Sequence, residues 1–279
     1  LFFFHPHPAP PHPLWSRGLG DVYKRQGKAA IITGGSEGIG KASAKIMCEE
    51  GANVVICARR QELLDSAVNE IKATAKGEII GISADVTNPD DIKNVVESCI
   101  NKFGRVDILV NNAGTSNANN FETVDDDVWQ HDLDLKFFAA IRFSRLAIEQ
   151  MKKVGGGRII NVTNLGAKQP GANSVPTSVS RAAGIALTKA MSKDLAQYNI
   201  LVNTVLIGLI KSGQHQNRFH NEKGVDIEQY YQERSGNIPL QRFGEAEEAG
   251  NIISFLASGK ASYITGTSMN IDGGTSGVL

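Results

Sequence analysis

The sequence predicts an α/β fold in which one doubly wound parallel sheet is covered by helices on both faces. Three observations support this: strand-like apolar runs alternate with helical patterns, a glycine-rich turn follows the first run, and 41% of the 279 residues are hydrophobic. Alternating strands and helices form parallel sheets, because each crossover connection carries a helix over one face. The right-handed sense of these crossovers makes the sheet doubly wound.

Seven apolar runs are candidate strands. They are Ala29–Thr33, Asn53–Ala58, Glu78–Ala84, Val106–Asn111, Gly157–Val162, Ile200–Ile207 and Ser268–Ile271. Helical patterns lie between most of them, at Gly38–Glu50, Gln61–Ala75, Asn88–Phe103, Asp125–Lys153, Val179–Gln197 and Glu245–Ala257. Residues 27–279 contain no long linker, internal repeat or low-complexity segment, and we predict that they form one domain.

Residues 1–26 do not share this alternation. They read LFFFHPHPAPPHPLWSRGLGDVYKRQ, and prolines interrupt them repeatedly. Their apolar run, residues 1–4, is too short for the core of a signal peptide. We predict that this segment is a non-native or disordered extension that packs poorly against the domain.

Charge and cysteine content exclude several classes of function. Lys and Arg number 29, as do Asp and Glu, so the formal net charge is zero and indicates neither a nucleic acid nor a membrane partner. The three cysteines, Cys48, Cys57 and Cys99, show no metal-ligand spacing and fit a reducing, cytoplasmic compartment. No apolar run approaches the ~18 residues that a membrane-spanning helix needs.

The turn after the first strand reads TGGSEGIG at residues 33–40. A strand, a glycine-rich turn and a helix in this order typically bind a dinucleotide, because glycine lets the pyrophosphate approach the backbone. The helix then offers unpaired N–H groups and the positive end of its dipole to the phosphates. The predicted cofactor-binding residues of this turn are Gly34, Ser36, Glu37, Gly38, Ile39 and Gly40.

The end of the second strand favours NADP over NAD. An acidic residue there accepts hydrogen bonds from the adenosine ribose, but this chain has Ala58 followed by Arg59 and Arg60. An arginine fork suits a 2′-phosphate, although two arginines at a helix start can also be simply solvated. Glu37 in the glycine-rich turn opposes the assignment, since its charge can repel that phosphate.

The order and spacing of four motifs make the chain, over residues 27–279, similar to the short-chain dehydrogenase/reductase family. The motifs are the turn at 33–40, Asp85-Val86, the NNAG run at 111–114, and a C-terminal set comprising 238–244, 263–266 and 272–274. The resemblance implies a single Rossmann domain with seven parallel strands, assembled as a homotetramer or homodimer. It also implies further cofactor contacts, with Asp85 and Val86 bordering the adenine. The others are Asn112, Ala113 and Gly114 beside the cofactor and Gly208, Ile210 and Ser212 after the sixth strand, where Ser212 can meet the nicotinamide amide.

The catalytic positions depart from the family pattern. Family members use a tyrosine and a lysine in a Tyr-x-x-x-Lys motif, a serine and an asparagine. Here Thr177 takes the tyrosine place, Arg181 the lysine place, Asn164 the serine place and Lys136 the asparagine place. No tyrosine lies between residues 24 and 197, so no shift of alignment restores the proton donor.

Several groups can replace the missing relay. Lys136 is the leading candidate, because apolar neighbours and a nearby cation can lower a lysine pKa toward neutrality. Asn164 can donate a hydrogen bond to a carbonyl oxygen, and Arg181 can hold a ribose. The segment 209–237 is predicted to be a substrate lid whose apolar face includes Phe219, Tyr230 and Tyr231, and it also carries two histidines. These histidines, His215 and His220, are further candidate acids.

Two functions remain open from the sequence. The first is an NADP(H)-dependent oxidoreductase that transfers a hydride to or from a small carbonyl or alcohol substrate with an altered proton relay. The second is a catalytically inactive nucleotide-binding sensor or scaffold. Four replaced catalytic positions support the second, but the intact glycine-rich turn favours the first.

Overall fold

The architecture of the chain was obtained as a computed structural model that describes residues 25–213, 224 and 226–278. The strands are β1 (Ala29–Thr33), β2 (Asn53–Ala58), β3 (Ile79–Ser83), β4 (Ile108–Asn111), β5 (Ala118–Asn119), β6 (Gly157–Asn164), β7 (Val175–Pro176), β8 (Ile200–Ile207) and β9 (Ser268–Ile271). Within the described residues, seven of them form one parallel sheet in the order β3-β2-β1-β4-β6-β8-β9. The predicted fold class and strand number are confirmed.

Helices connect the strands of this sheet. The helices are α1 (Gly38–Glu49), α2 (Gln61–Lys72), α3 (Pro89–Phe103), α4 (Asp126–Leu133), α5 (Ala139–Lys153), α6 (Thr177–Leu195), α7 (Ile227–Ser235) and α8 (Ala246–Leu256). Local chemistry explains their ends where the signals are strong. At α3, the Asn88 side chain accepts a hydrogen bond from the Asp90 N–H, Pro89 occupies the first turn, and Gly104 ends the helix at a φ of 73°.

The sheet is buried on both faces. Successive residues of β1 alternate between two apolar clusters: Ala30 and Ile32 belong to one, and Ala29 and Ile31 to the other. This follows from the two-residue period of a strand, which sends neighbouring side chains to opposite faces. Helices α1 and α8 contact each other, as do α3 and α5, and their apolar residues complete the two clusters.

The strand order reverses between β1 and β4, and this reversal creates the crevice in which doubly wound folds bind ligands. Hydrogen bonds tie the two strand ends together. The Thr33 hydroxyl accepts from the N–H groups of Asn112 at 3.0 Å and Ala113 at 2.9 Å. The Asn112 amide in turn donates to the carbonyls of Thr33 at 2.9 Å and Gly34 at 3.1 Å. The glycine-rich turn is therefore held against the NNAG motif.

The predicted helix over Asp125–Lys153 is helical from Asp126 to Lys153, but it is not a regular α-helix along its whole length. A π-helical segment, Asp134–Phe138, separates α4 from α5. The apolar periodicity continues through both helices, so sequence pattern alone does not reveal the extra residue in the turn. Lys136 lies within this segment, where a π-turn changes the direction of a side chain relative to a regular helix.

One helix starts earlier than predicted, and one residue of the predicted extension is buried. Thr177, placed before the predicted helix, is the first residue of α6. Arg25, assigned to the extension, is 2% exposed, lies 3.1 Å from the carboxylate of Glu50 and also donates to the Ser254 carbonyl. Residues 1–24 lie outside the described part of the chain, so the extension stays a prediction. No helix in the described ranges is long and apolar enough to cross a membrane.

Candidate active site

The carboxyl ends of the strands open into a cleft of about 430 Å³, within the usual range for small-molecule and cofactor sites. Nearly all of the cofactor-binding residues predicted from the sequence line it. They are Gly34, Ser36, Glu37, Gly38, Ile39, Arg59, Arg60, Asp85, Val86, Asn112, Ala113, Gly114, Arg181, Gly208, Ile210 and Ser212. Gly40 alone of that set lies under the turn: a Cβ there would come within 2.2 Å of the Gly34 carbonyl oxygen.

The glycine-rich turn has the backbone that a phosphate site needs. Gly34 and Gly38 have φ values of 66° and 53°, a region that other residues rarely adopt. The residue before α1 is Glu37, and its side chain makes no capping hydrogen bond to this helix. The first N–H groups of α1 thus keep their capacity to bind an anion.

The two arginines after β2 have different environments. Arg60 pairs with the carboxylate of Glu37, whereas Arg59 has no salt-bridge partner among the described residues. The pairing offsets the negative charge of Glu37, which the sequence alone led us to expect would repel a 2′-phosphate. Burial raises the pKa of the Asp85 carboxyl, but hydrogen bonds from the Thr87 N–H and hydroxyl outweigh it and lower that pKa, and the charge of the exposed Arg59 lowers it further.

A buried polar cluster lies behind the cleft. It forms where α4 and the π-helical segment meet the start of α6. The ammonium of Lys136 contacts the carboxylate of Asp132, and these two side chains are 4% and 1% exposed. Lys136 Nζ also donates to Thr177 Oγ1 at 2.6 Å, and Ser180 Oγ donates to Asp132 Oδ2 at 2.6 Å.

The Thr177 hydroxyl has both of its acceptor positions filled. It accepts one hydrogen bond from Lys136 and one from the Asn117 N–H at 2.9 Å. A hydroxyl offers two lone pairs and one hydrogen, so the hydrogen is the part of Thr177 that remains to bond another group. Toward any further group, Thr177 can therefore act only as a donor, and its oxygen is held by the Lys136 ammonium.

Burial changes the acidity of the two cations at this site. It lowers the pKa of Lys136 to about 8, and the positive charge of Arg181 acts in the same direction, while the contact with Asp132 opposes them. Burial also lowers the pKa of Arg181 to about 10, against the attraction of Asp132. The sequence-based expectation that Lys136 is partly desolvated and shifted toward neutrality agrees with these positions.

Arg181 and Asn164 form part of the cleft wall. Arg181 Nη1 donates to the Val162 carbonyl at 3.1 Å, which aims the guanidinium along the end of β6. The Nε of Arg181 and the Oδ1 of Asn164 are buried and have no hydrogen-bond partner among the described residues. Buried polar atoms normally have partners, so both side chains keep bonding capacity at the cleft.

The proposed lid is described only in part. Tyr230 and Tyr231 of α7 are buried, but they pack on Phe243, with ring centroids 6.0 Å and 4.7 Å away, and on Ile238. Neither tyrosine lines the cleft, so the apolar face that they contribute covers the C-terminal segment rather than the cofactor cleft. The other lid candidates, Phe219, His215 and His220, lie outside the described residues.

Three groups of the buried cluster were not among the residues predicted from the sequence. Asp132 precedes Lys136 by four positions and Ser180 follows Thr177 by three, which are spacings that align side chains on one helical face. These spacings were present in the sequence, but nothing in it shows that the two helical faces meet. The third group, the Asn117 N–H, belongs to the backbone of a loop and carries no sequence signal.

The residues of the cleft fit a nicotinamide dinucleotide. The turn offers uncapped N–H groups and left-handed glycines for a pyrophosphate, and Arg59 on the cleft wall has no ion-pair partner within the described ranges. At the other end, Asn164 and Arg181 present polar atoms without protein partners in the described part of the chain. This donor set is that of an anionic, hydroxyl-rich ligand.

Comparisons with known proteins agree with this geometry. The family model for enoyl-(acyl carrier protein) reductase matches residues 34–276. A 3-oxoacyl-[acyl-carrier-protein] reductase of Thermotoga maritima is 33% identical over 249 residues, which cover 89% of this chain and 98% of that protein. Dehydrogenase/reductase SDR family member 4 of Sus scrofa is 34% identical over 258 residues, covering 91% and 89%.

A solved structure is similar over almost the whole described fold. The L-sorbose reductase of Gluconobacter frateurii, complexed with NADPH and L-sorbose, superposes with a TM-score of 0.87 and 33% sequence identity. The match covers 93% of this chain and 100% of the reductase.

Proposed function

This chain belongs to the short-chain dehydrogenase/reductase family of NAD(P)-dependent oxidoreductases, and we propose that it uses NADP(H) and an altered proton relay built on Lys136. The single observation that carries the proposal is the contact of 2.6 Å between Lys136 Nζ and Thr177 Oγ1. It joins a buried cation of lowered pKa to a hydroxyl at the family's tyrosine position.

The preference for NADP(H) is supported by the arginines. Pairing with Arg60 neutralises Glu37 and leaves Arg59 to bind a 2′-phosphate. The similar L-sorbose reductase was solved with NADPH. The turn residues would hold the pyrophosphate, Asp85 and Val86 would border the adenine, and Arg181 would bind the ribose next to the nicotinamide. When bound, the nicotinamide supplies or accepts the hydride.

The proton path runs through the buried cluster. In carbonyl reduction, the substrate carbon gains a hydride and its oxygen gains a proton. Thr177 is a far weaker acid than a phenol, whose pKa is ~10, so its hydroxyl needs a second group that returns the proton as it leaves. The Lys136 ammonium contacts the same oxygen and would end the step as a neutral amine. Oxidation of an alcohol would run in reverse.

The remaining replacements take positioning roles. Asn164 would donate its amide N–H to the substrate oxygen, as oxyanion-binding groups do. Arg181 stays charged near neutral pH, since even its lowered pKa is about 10, so it binds but does not exchange protons. Thr177, Lys136, Asn164 and Arg181 thus form one altered catalytic set.

The substrate class is a small carbonyl or alcohol, as in the L-sorbose reductase to which the chain is similar. We also propose a cytoplasmic homo-oligomer, either a dimer or a tetramer. Membership of the family supports the assembly, since the resemblance in sequence implies a dimer or tetramer.

A carbonyl screen tests the proposal. The protein is incubated with NADPH and a panel of ketoses, ketones and aldehydes, and NADPH consumption is followed at 340 nm. We expect turnover with at least one class and little with NADH. Tight NADPH binding without turnover on any substrate would instead favour the sensor or scaffold.

A further inference from the structure

The carboxylate of Asp132 is the most deeply buried charge of the polar cluster. Its side chain is 1% exposed, yet each of its oxygens has a partner. Oδ1 accepts from the Lys136 ammonium and Oδ2 accepts from Ser180 Oγ at 2.6 Å. Burying a carboxylate costs free energy unless it is paired and hydrogen-bonded. The two partners therefore fix the position of the Asp132 carboxylate.

The two partners come from different helices. Asp132 lies in the last turn of α4, four residues before Lys136, whereas Ser180 belongs to α6, on the same helical face as Thr177. Ser180 therefore links the Asp132 carboxylate to α6. The same helix carries Thr177, whose hydroxyl accepts from Lys136. The Ser180 hydroxyl also lies 3.1 Å from the Thr177 carbonyl, which ties it to the first turn of α6.

We propose that Asp132 and Ser180 are positioning residues that hold the Lys136 ammonium against the Thr177 hydroxyl. The inference rests on the proposed function, in which Lys136 is the source of the proton. An ammonium has three N–H donors, and the chain uses one for Asp132 and one for Thr177. Without Asp132 the flexible lysine stem has no counter-charge to fix its head in this pocket.

The charged groups that face the Lys136 ammonium in the described residues are two. Asp132 lies on the same helical stretch as Lys136, and Arg181 approaches from α6. The loop after β4 brings Ala113, Gly114 and the Asn117 N–H to this side, and none of these groups is charged. Asp132 stabilises the charged lysine while Arg181 and burial destabilise it, so removal of the carboxylate charge leaves the two opposing effects alone.

The test measures Lys136 in the cofactor-free protein by NMR. Lysine labelled with ¹³C at Cε is titrated, and the Lys136 signal is identified as the one lost in Lys136→Met. Asp132→Asn should move its midpoint about 1 to 3 pH units lower, as loss of an adjacent opposite charge does. Ser180→Ala, which leaves the charge in place, should cause a smaller shift in the same direction.

Asp134→Asn is the matched control. Asp134 lies two residues from Lys136, but its carboxylate pairs with Arg142 at 3.3 Å, so the Lys136 midpoint should stay where it is. An unmoved midpoint in folded Asp132→Asn would overturn the proposal. If Asp132→Asn does not fold, Ser180→Ala decides, and an unchanged midpoint there would overturn it equally.

An activity measurement separates this inference from the proposed function. In Asp132→Asn, we expect kcat to fall about tenfold or more, its pH limb to move to lower pH, and the Kd for NADPH to stay unchanged. A shifted Lys136 midpoint together with full activity of Lys136→Met would support the positioning role and refute the proton relay. An unmoved Lys136 midpoint together with an inactive Lys136→Met would refute the positioning role alone.

Discussion

Lys136 Nζ lies 2.6 Å from Thr177 Oγ1, although the two residues are 41 positions apart in the chain. The contact joins a π-helical segment to the first residue of α6. It brings a cation of lowered pKa to the hydroxyl that we assign to the family's tyrosine position. Four predictions follow from this contact and from the cleft beside it.

Lys136→Met should reduce turnover by ~10² or more, the usual effect of losing a general acid. Methionine keeps much of the apolar stem but removes the ammonium, so the Kd for NADPH should stay nearly unchanged. Steady-state rates at 340 nm and fluorescence titration measure the two quantities. Lys153→Met, an exposed position at the end of α5, is the control and should keep full activity. Full activity in Lys136→Met would remove this lysine from the mechanism.

The rate of carbonyl reduction should depend on pH through Lys136. A general acid acts in its protonated form, and the pKa of Lys136 is lowered to about 8, chiefly by burial and by Arg181. The kcat/KM for reduction should therefore be level at lower pH and decline as the pH rises through about 8. Oxidation of the alcohol needs the neutral amine and should rise over the same range. A reduction rate that stays level up to the pKa of a free lysine, ~10.4, would contradict this assignment.

Arg59→Ala should remove most of the preference for NADPH over NADH. Arg60 is already paired with Glu37, so without Arg59 the 2′-phosphate of NADPH would lose the cation that we assign to it. NADH does not carry that phosphate and should bind as before. Fluorescence titration with both cofactors measures the ratio of the Kd values. Arg145→Ala, an exposed arginine on α5, should leave the ratio unchanged. Equal affinities in the unmutated protein would sink the cofactor assignment.

Arg181→Ala should weaken the binding of NADPH and NADH by the same factor. The guanidinium lies on the cleft wall, held by the Val162 carbonyl, and the nicotinamide ribose that we assign to it is common to both cofactors. Arg181→Lys keeps a cation at this position and should retain most of the affinity. If Arg181→Ala binds both cofactors with the affinity of the unmutated protein, Arg181 does not bind the nicotinamide ribose.

Much of the fold was predictable from local pattern. The bounds of β1, β2, β8 and β9 agree with the predicted strands residue for residue, because buried parallel strands appear as continuous apolar runs that end at turn residues. The cleft-lining residues followed in the same way, since parallel strands all end at one edge of the sheet. The π-helical segment at 134–138 escaped prediction, because a single inserted residue leaves the apolar periodicity almost unchanged.

By itself, the sequence determined the class of fold, the glycine-rich turn and the arginines after β2, and it predicted four replaced catalytic positions. Only the tertiary structure decided which of these groups touch. The pairing of Arg60 with Glu37, and the burial of Asp132, Lys136 and Ser180 in one cluster, depend on elements far apart in the chain. The reason is physical: a periodic pattern specifies which face of a helix is buried, but the pKa of a buried lysine depends on the charges that another helix brings to it.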